Sequence, residues 1–100
     1  MNNLKLVDLF LNEYWIEKGL SENTVQSYRL DLTALCDWLD KQNLSLETLE
    51  PLDLQQFLGS RLEQGYKATS TARMLSAMRK LFQYLYREKY RTDDPSAVLS

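Results

Sequence analysis

Four stretches of this chain place apolar residues three and four positions apart, and that period, unlike the alternation of a strand, commits the chain to packed helices. In the first stretch, Leu4, Val7, Phe10, Leu11, Tyr14 and Trp15 form a stripe widened by Leu6, Leu9 and Ile16. It ends near Lys18-Gly19, where glycine can take the left-handed residue that stops a helix. Ser21 is placed to cap a second helix whose stripe is Val25, Tyr28, Leu32, Leu35, Cys36 and Leu39, running to about Asp40. Its opposite face carries Asn23, Gln26, Ser27, Leu30, Thr33 and Asp37. Residues 41–50 read as a connection. Pro51 then suits the first turn of a short third helix with Leu54, Phe57, Leu58 and Leu62, closed by Gly65.

The fourth helix is the longest, with Thr69 or Ser70 as its cap, a main stripe of Ala72, Leu75, Met78, Phe82 and Leu85, and Met74 and Leu81 beside it. It is expected to reach about Lys89. Asp93 or Asp94 ahead of Pro95 predicts a last short helix beginning there and cut off by the chain end. Three glycines and two prolines in 100 residues leave few sites for the tight turns of an all-β fold. The expected fold is all-α: an orthogonal bundle of four main helices plus a short C-terminal helix, forming one domain over 1–100.

Chemistry is limited by what is missing. Without a histidine the chain lacks the usual general base near neutral pH and the commonest zinc ligand. One cysteine, Cys36, allows neither an internal disulfide nor a cysteine metal cluster, and its place on an apolar stripe predicts a buried, inert thiol. There is no glycine-rich phosphate loop, and Asp93-Asp94 reads as a helix cap, not a metal site. The six tyrosines are better used in packing, since activating one needs a companion base or clustered cations. No catalytic residue, cofactor or metal is expected. Neither a run of 18 apolar residues nor a signal peptide is present, so a cytoplasmic location without membrane association is expected.

Charge is sorted by position. From Arg61 to Arg91 eight cations face two acids, a net of +6, whereas residues 1–60 hold ten acids against four bases, a net of −6. A polyanion responds to local potential, so a sequence pI near 5.1 does not exclude nucleic acid. Projected on a helical wheel, the polar side of the fourth helix gathers Thr69, Ser70, Arg73, Ser76, Lys80, Tyr84 and Arg87, with Arg79 at its shoulder. Small hydroxyls let a helix enter a groove closely, while Arg and Lys reach phosphates or the O6/N7 edge of guanine. The second helix opens with Asn23, Thr24, Gln26 and Ser27, neutral donors and acceptors that could serve the same groove. The competing reading is a helical protein-interaction module using the acidic half or an aromatic such as Trp38.

Three segments carry a family resemblance: LSENTVQSYRLDL (20–32), YKATSTARMLSAMRKLFQYLYREK (66–89) and DDPSA (93–97). Together they resemble the N-terminal core-binding, SAM-like domain of tyrosine site-specific recombinases, and within that family the bacterial branch that resolves chromosome dimers. The resemblance implies half of a C-shaped clamp on double-stranded DNA, with the second and fourth helices in the major groove of a recombination half-site. Asn23, Thr24, Gln26 and Ser27 take the first role; Thr69, Ser70, Arg73, Ser76 and Lys80 take the second, and Lys67 is expected to meet phosphate. Tyr28 and Leu32 lie on the apolar stripe and are assigned to the core.

The resemblance also implies a separate catalytic domain, none of whose motifs occurs in this chain, so the chain is expected to be the DNA-binding part of a recombinase. Other recombinase protomers, including a related partner recombinase, are the implied protein partners. The first helix and the Pro95–Ser100 stub are the candidate contacts, and the isolated domain is expected to be a monomer at the bacterial nucleoid.

Overall fold

A computed structural model of the chain describes residues 1–99. Among them are four helices and no strand: α1 (Asn3–Lys18), α2 (Glu22–Lys41), α3 (Pro51–Glu63) and α4 (Ala68–Arg87). The chain divides into two compact units, Met1–Leu46 and Glu47–Ser100.

In the first unit, α1 starts at Asn2, whose side chain accepts from the Lys5 amide, and ends at Gly19, held at φ 60°. Its buried line is Asn3, Leu6, Val7, Phe10 and Leu11. This differs from the expected stripe, because Leu4, Trp15 and Ile16 are exposed. Leu6 pairs with Phe10 at i+4, and that ridge, not the one through Leu4, turns inward. α2 is capped as expected by Ser21, which accepts from the Thr24 amide, and Val25, Leu32, Leu35, Cys36 and Leu39 are buried along it. Tyr28 is only half-buried and stands against Tyr14, their ring centroids 6.2 Å apart. Burial and the carboxylates of Asp40, Asp37 and Asp8 push the Cys36 thiol up to about 12. A thiol-specific reagent at pH 8 should therefore leave Cys36 unmodified in the folded chain and label it fully in denaturant.

The connection after α2 is pinned by Asn3. Its amide donates to the Leu44 carbonyl and to Asp40, each at 3.0 Å, and its Oδ1 accepts from the buried Leu46 amide at 2.8 Å.

In the second unit, α3 opens with Pro51 at its first turn and a capping box between Glu50 and Asp53. Leu54 and Phe57 are buried, whereas the expected stripe member Leu62 is exposed. Its place is taken by Arg61, a cation left only 6% exposed. On α4 the core side is Met74, Ala77, Met78, Leu81, Phe82, Tyr84 and Leu85, and Ala72, expected on the stripe, is exposed.

Helices α2, α3 and α4 all end in a Schellman motif, whose left-handed residue is Asn43, Gly65 and Lys89 respectively. In each, the next amide reaches back five residues, to Leu39, Arg61 and Leu85. This stops α4 at Arg87, two residues earlier than expected.

The expected short C-terminal helix does not form over the described residues. Residues 95–98 are turns, built from Ala97 N–H to Asp94 O (3.2 Å) and Leu99 N–H to Ser96 O (3.1 Å). Asp94 accepts from both the amide and the hydroxyl of Ser96, which draws the backbone into tight i to i+3 turns. Ser100, the end of the expected stub, lies outside the described residues.

Candidate nucleic-acid interface

The sequence of α4 contains four cations and no acid over 20 residues. The first-turn amides are the only donors a helix leaves open at its start, and here nothing in the helix covers them. The N-cap is Lys67, with no side-chain cap hydrogen bond, and not Thr69 or Ser70 as the sequence predicted. Both hydroxyl residues lie inside the first turn. Ser70 Oγ is turned instead to Arg61, accepting from its Nη2 at 3.2 Å. Arg61 in turn stacks on the Tyr66 ring, 4.0 Å from its centroid, and so ties the α3–α4 connection to the start of α4. The uncapped amides, the helix dipole and exposed Lys67 together make this end attractive to an anion.

Along α4, Thr69, Arg73, Ser76, Lys80 and Arg87 fall within a narrow arc of one face. Thr69, Arg73 and Arg87 are exposed, and Ser76 and Lys80 are half-buried. Lys80 Nζ donates to Ser76 Oγ at 2.9 Å, which holds the lysine along the helix surface. Ser70 lies off this arc, half-buried at its side. Tyr84 also departs from expectation. It is buried, stacked with Tyr90 at 6.3 Å, and Arg87 lies over its ring at 5.7 Å. Gln83, which the projection passed over, is the exposed residue at that turn. A wheel centred one residue earlier would have selected it, since Gln83 is seven residues beyond Ser76.

Basic character is also less uniform than the sequence count. Arg61 and Arg91 are buried. Arg91 Nη2 donates to the Leu49 carbonyl at 2.8 Å and pairs with Asp93 at 3.0 Å, beneath the Phe82 ring. Arg79 Nη2 donates to the Leu99 carbonyl. The acids just past the counted segment matter too: over 61–94, eight cations face four acids, a net of +4. The exposed cations are Lys67, Arg73 and Lys89, with Lys80 partly so, and exposed Arg87 is paired with Glu88 at 3.3 Å.

In the first unit, Asn23 and Gln26 are exposed, and Thr24 and Ser27 half-buried. The Thr24 hydroxyl is 3.0 Å from Ser21 Oγ, so it belongs to the cap as well as to the surface. Glu22 in the first turn offsets the dipole, which leaves this helix start suited to neutral hydrogen bonding more than to phosphate. Trp38, the aromatic of the competing reading, is half-buried. Among the described residues no group of three or more Cys, Asp and Glu could hold a metal ion, and no helix is long and apolar enough to cross a membrane.

Comparison with known proteins places the chain in a family. The profile of the phage integrase, N-terminal SAM-like domain matches residues 7–89. The chain belongs to this family. Over its whole length it is 88% identical to the tyrosine recombinase XerD of Haemophilus influenzae and 75% identical to that of Pasteurella multocida, in each case over 34% of the relative's length. It is 61% identical over 95 residues to the tyrosine recombinase XerD of Yersinia pestis. The chain thus spans about a third of the length of the curated relatives it matches, and the family it matches is an N-terminal domain, not a catalytic one.

Proposed function

We propose that the chain is a DNA-binding module of a XerD-like tyrosine recombinase. The α4 face of Thr69, Arg73, Ser76 and Lys80 and the α2 residues Asn23, Thr24, Gln26 and Ser27 enter the major groove of a recombination half-site. The observation that carries this reading is the α4 face itself: cations and small hydroxyls at helical spacing, with no acid anywhere in the helix. Lys67 and the first-turn amides of α4 meet phosphate, Arg73 reaches a base edge, and Ser70, held by Arg61, supports the approach from the side. The reactions of strand cleavage and rejoining belong to the remaining two-thirds of such a recombinase. This chain contributes binding and register, in the bacterial cytoplasm at the chromosome, and partners with other protomers, including a XerC-like recombinase.

Binding of the chain to a short duplex should be weak, in the roughly 10⁻⁴–10⁻⁶ M range at physiological salt. With roughly 3–5 phosphates neutralised, log affinity should fall with log salt at a slope of about −3 to −4.5. Fluorescence anisotropy of a labelled duplex between 50 and 200 mM salt, over which the Debye length falls from about 14 to about 7 Å, measures this directly. A flat salt dependence would instead favour an apolar protein interface.

One observation favours an assembly role beside DNA binding. Leu4, Trp15 and Ile16 are exposed on α1, and Ile16, at 79%, is the most exposed large apolar residue described. These residues suit contact with a neighbouring protomer more than with a duplex.

A further inference from the structure

Leu30 is 72% exposed in the middle of the polar face of α2, the face that the binding site does not explain beyond Ser27. It lies seven residues after Asn23, which places it about 20° from Asn23 around the helix and about 10 Å further along it. Its neighbours on the helix surface are Gln26 and Ser27 on one side and Thr33 and Ala34 on the other, of which half-buried Ala34 is the one further apolar side chain. Seven residues beyond Leu30, exposed Asp37 occupies the same line. The face therefore changes along its length from neutral donors to one leucine and then to an acid that repels phosphate. On the DNA reading above, a duplex that follows Asn23 and Ser27 would meet Leu30 before it came to Asp37.

A leucine with one half-buried alanine beside it is too small to hold a protein, for which about 800 Å² per partner is typical. The major groove, in contrast, exposes one apolar group of matching size, the C5 methyl of thymine. We propose that Leu30 is a specificity-determining residue that packs against a thymine methyl and so makes the α2 side of the site favour T at one position. This rests on the DNA reading above and adds to it a base preference that the polar residues cannot supply.

The test begins with a duplex selected by the chain from a random library, in which each thymine is then replaced singly by uracil, removing only the methyl. At one or two positions uracil should weaken binding about three- to fivefold, the scale of one buried methyl group. L30A should bind the thymine duplex more weakly by a similar factor and lose its sensitivity to uracil at those positions. Because Leu30 is exposed, L30A should keep the helical circular dichroism and melting of the parent chain. If the selected duplex binds with the steep salt dependence but no thymine methyl matters, or if L30A stays as sensitive as the parent, the thymine assignment is overturned while the DNA reading stands. Absence of any salt-dependent duplex binding by anisotropy at 50 mM salt overturns both.

Discussion

Replacing Arg73 with alanine should weaken duplex binding by about 1–3 kcal/mol, with most of the loss confined to sequences that place a guanine at the contacted position. Arg73 is exposed on one side of the α4 arc, one turn after Thr69 and one turn before Ser76, and its side chain is long enough to reach a base edge from a helix lying in the groove. Lys67→Ala provides the contrast. Lys67 stands at the helix start, where a cation reaches phosphate and no base, so its loss should weaken all sequences alike and make the salt slope shallower by about one. Anisotropy measured on two duplexes that differ at one guanine separates the two behaviours. An Arg73→Ala chain with unchanged affinity would remove Arg73 from the interface.

The second large effect concerns folding. Asn3→Ala should lower the stability of the chain by about 2–4 kcal/mol, because it strands two backbone groups at once. The Leu46 amide loses its acceptor in a buried setting, and the Leu44 carbonyl loses a donor. Each such loss costs about 1–3 kcal/mol when water cannot replace the partner. Asn3→Asp is the informative companion: it keeps the acceptor for the Leu46 amide but turns the other arm toward the Asp40 carboxylate, so it should recover little. Urea unfolding followed by circular dichroism gives both values, provided the transition is two-state. A destabilisation below about 0.5 kcal/mol, the ordinary range for a surface substitution, would show that the α2–α3 connection does not depend on Asn3.

How far the sequence could be read follows from where physical choices were single. Ser21 stands alone ahead of a clear stripe, so both the cap and the start of α2 were legible. Before α4, the string Lys67-Ala68-Thr69-Ser70-Thr71 offers several caps of similar quality, and tertiary bonding decides: Arg61 occupies Ser70 and the helix begins earlier. Arginine burial was invisible for a related reason. Arg61 and Arg91 read as solvated charge in one dimension, yet Arg61 packs on the Tyr66 ring and donates to the Ser70 hydroxyl, and Arg91 lies by the Phe82 ring and donates to the Leu49 carbonyl. The exchange of Tyr84 for Gln83 reflects a helix face wider than the stripe drawn for it, since Tyr90, brought back by the left-handed Lys89, stacks on Tyr84 and draws it inward. Asn3 was the least legible: a polar residue at a helix start is ordinarily a surface residue, and only the path of residues 42–46 makes it a structural anchor.

The family and the α4 arc were, by contrast, legible together, because both depend on a continuous stretch of local sequence. Thr69, Arg73, Ser76 and Lys80 share a face for reasons of helical spacing alone, which no tertiary contact alters.

The central claim is that residues of α2 and residues of α4 each meet DNA, and a two-dimensional amide NMR titration of the chain with a short duplex, at low and moderate salt, tests it most directly. Shifts should cluster on Asn23–Ser27 and Lys67–Lys80 and diminish as salt rises. If those residues stay unperturbed while resonances near Trp15 and Ile16 broaden with protein concentration alone, the chain is an assembly module and the DNA-binding account is wrong.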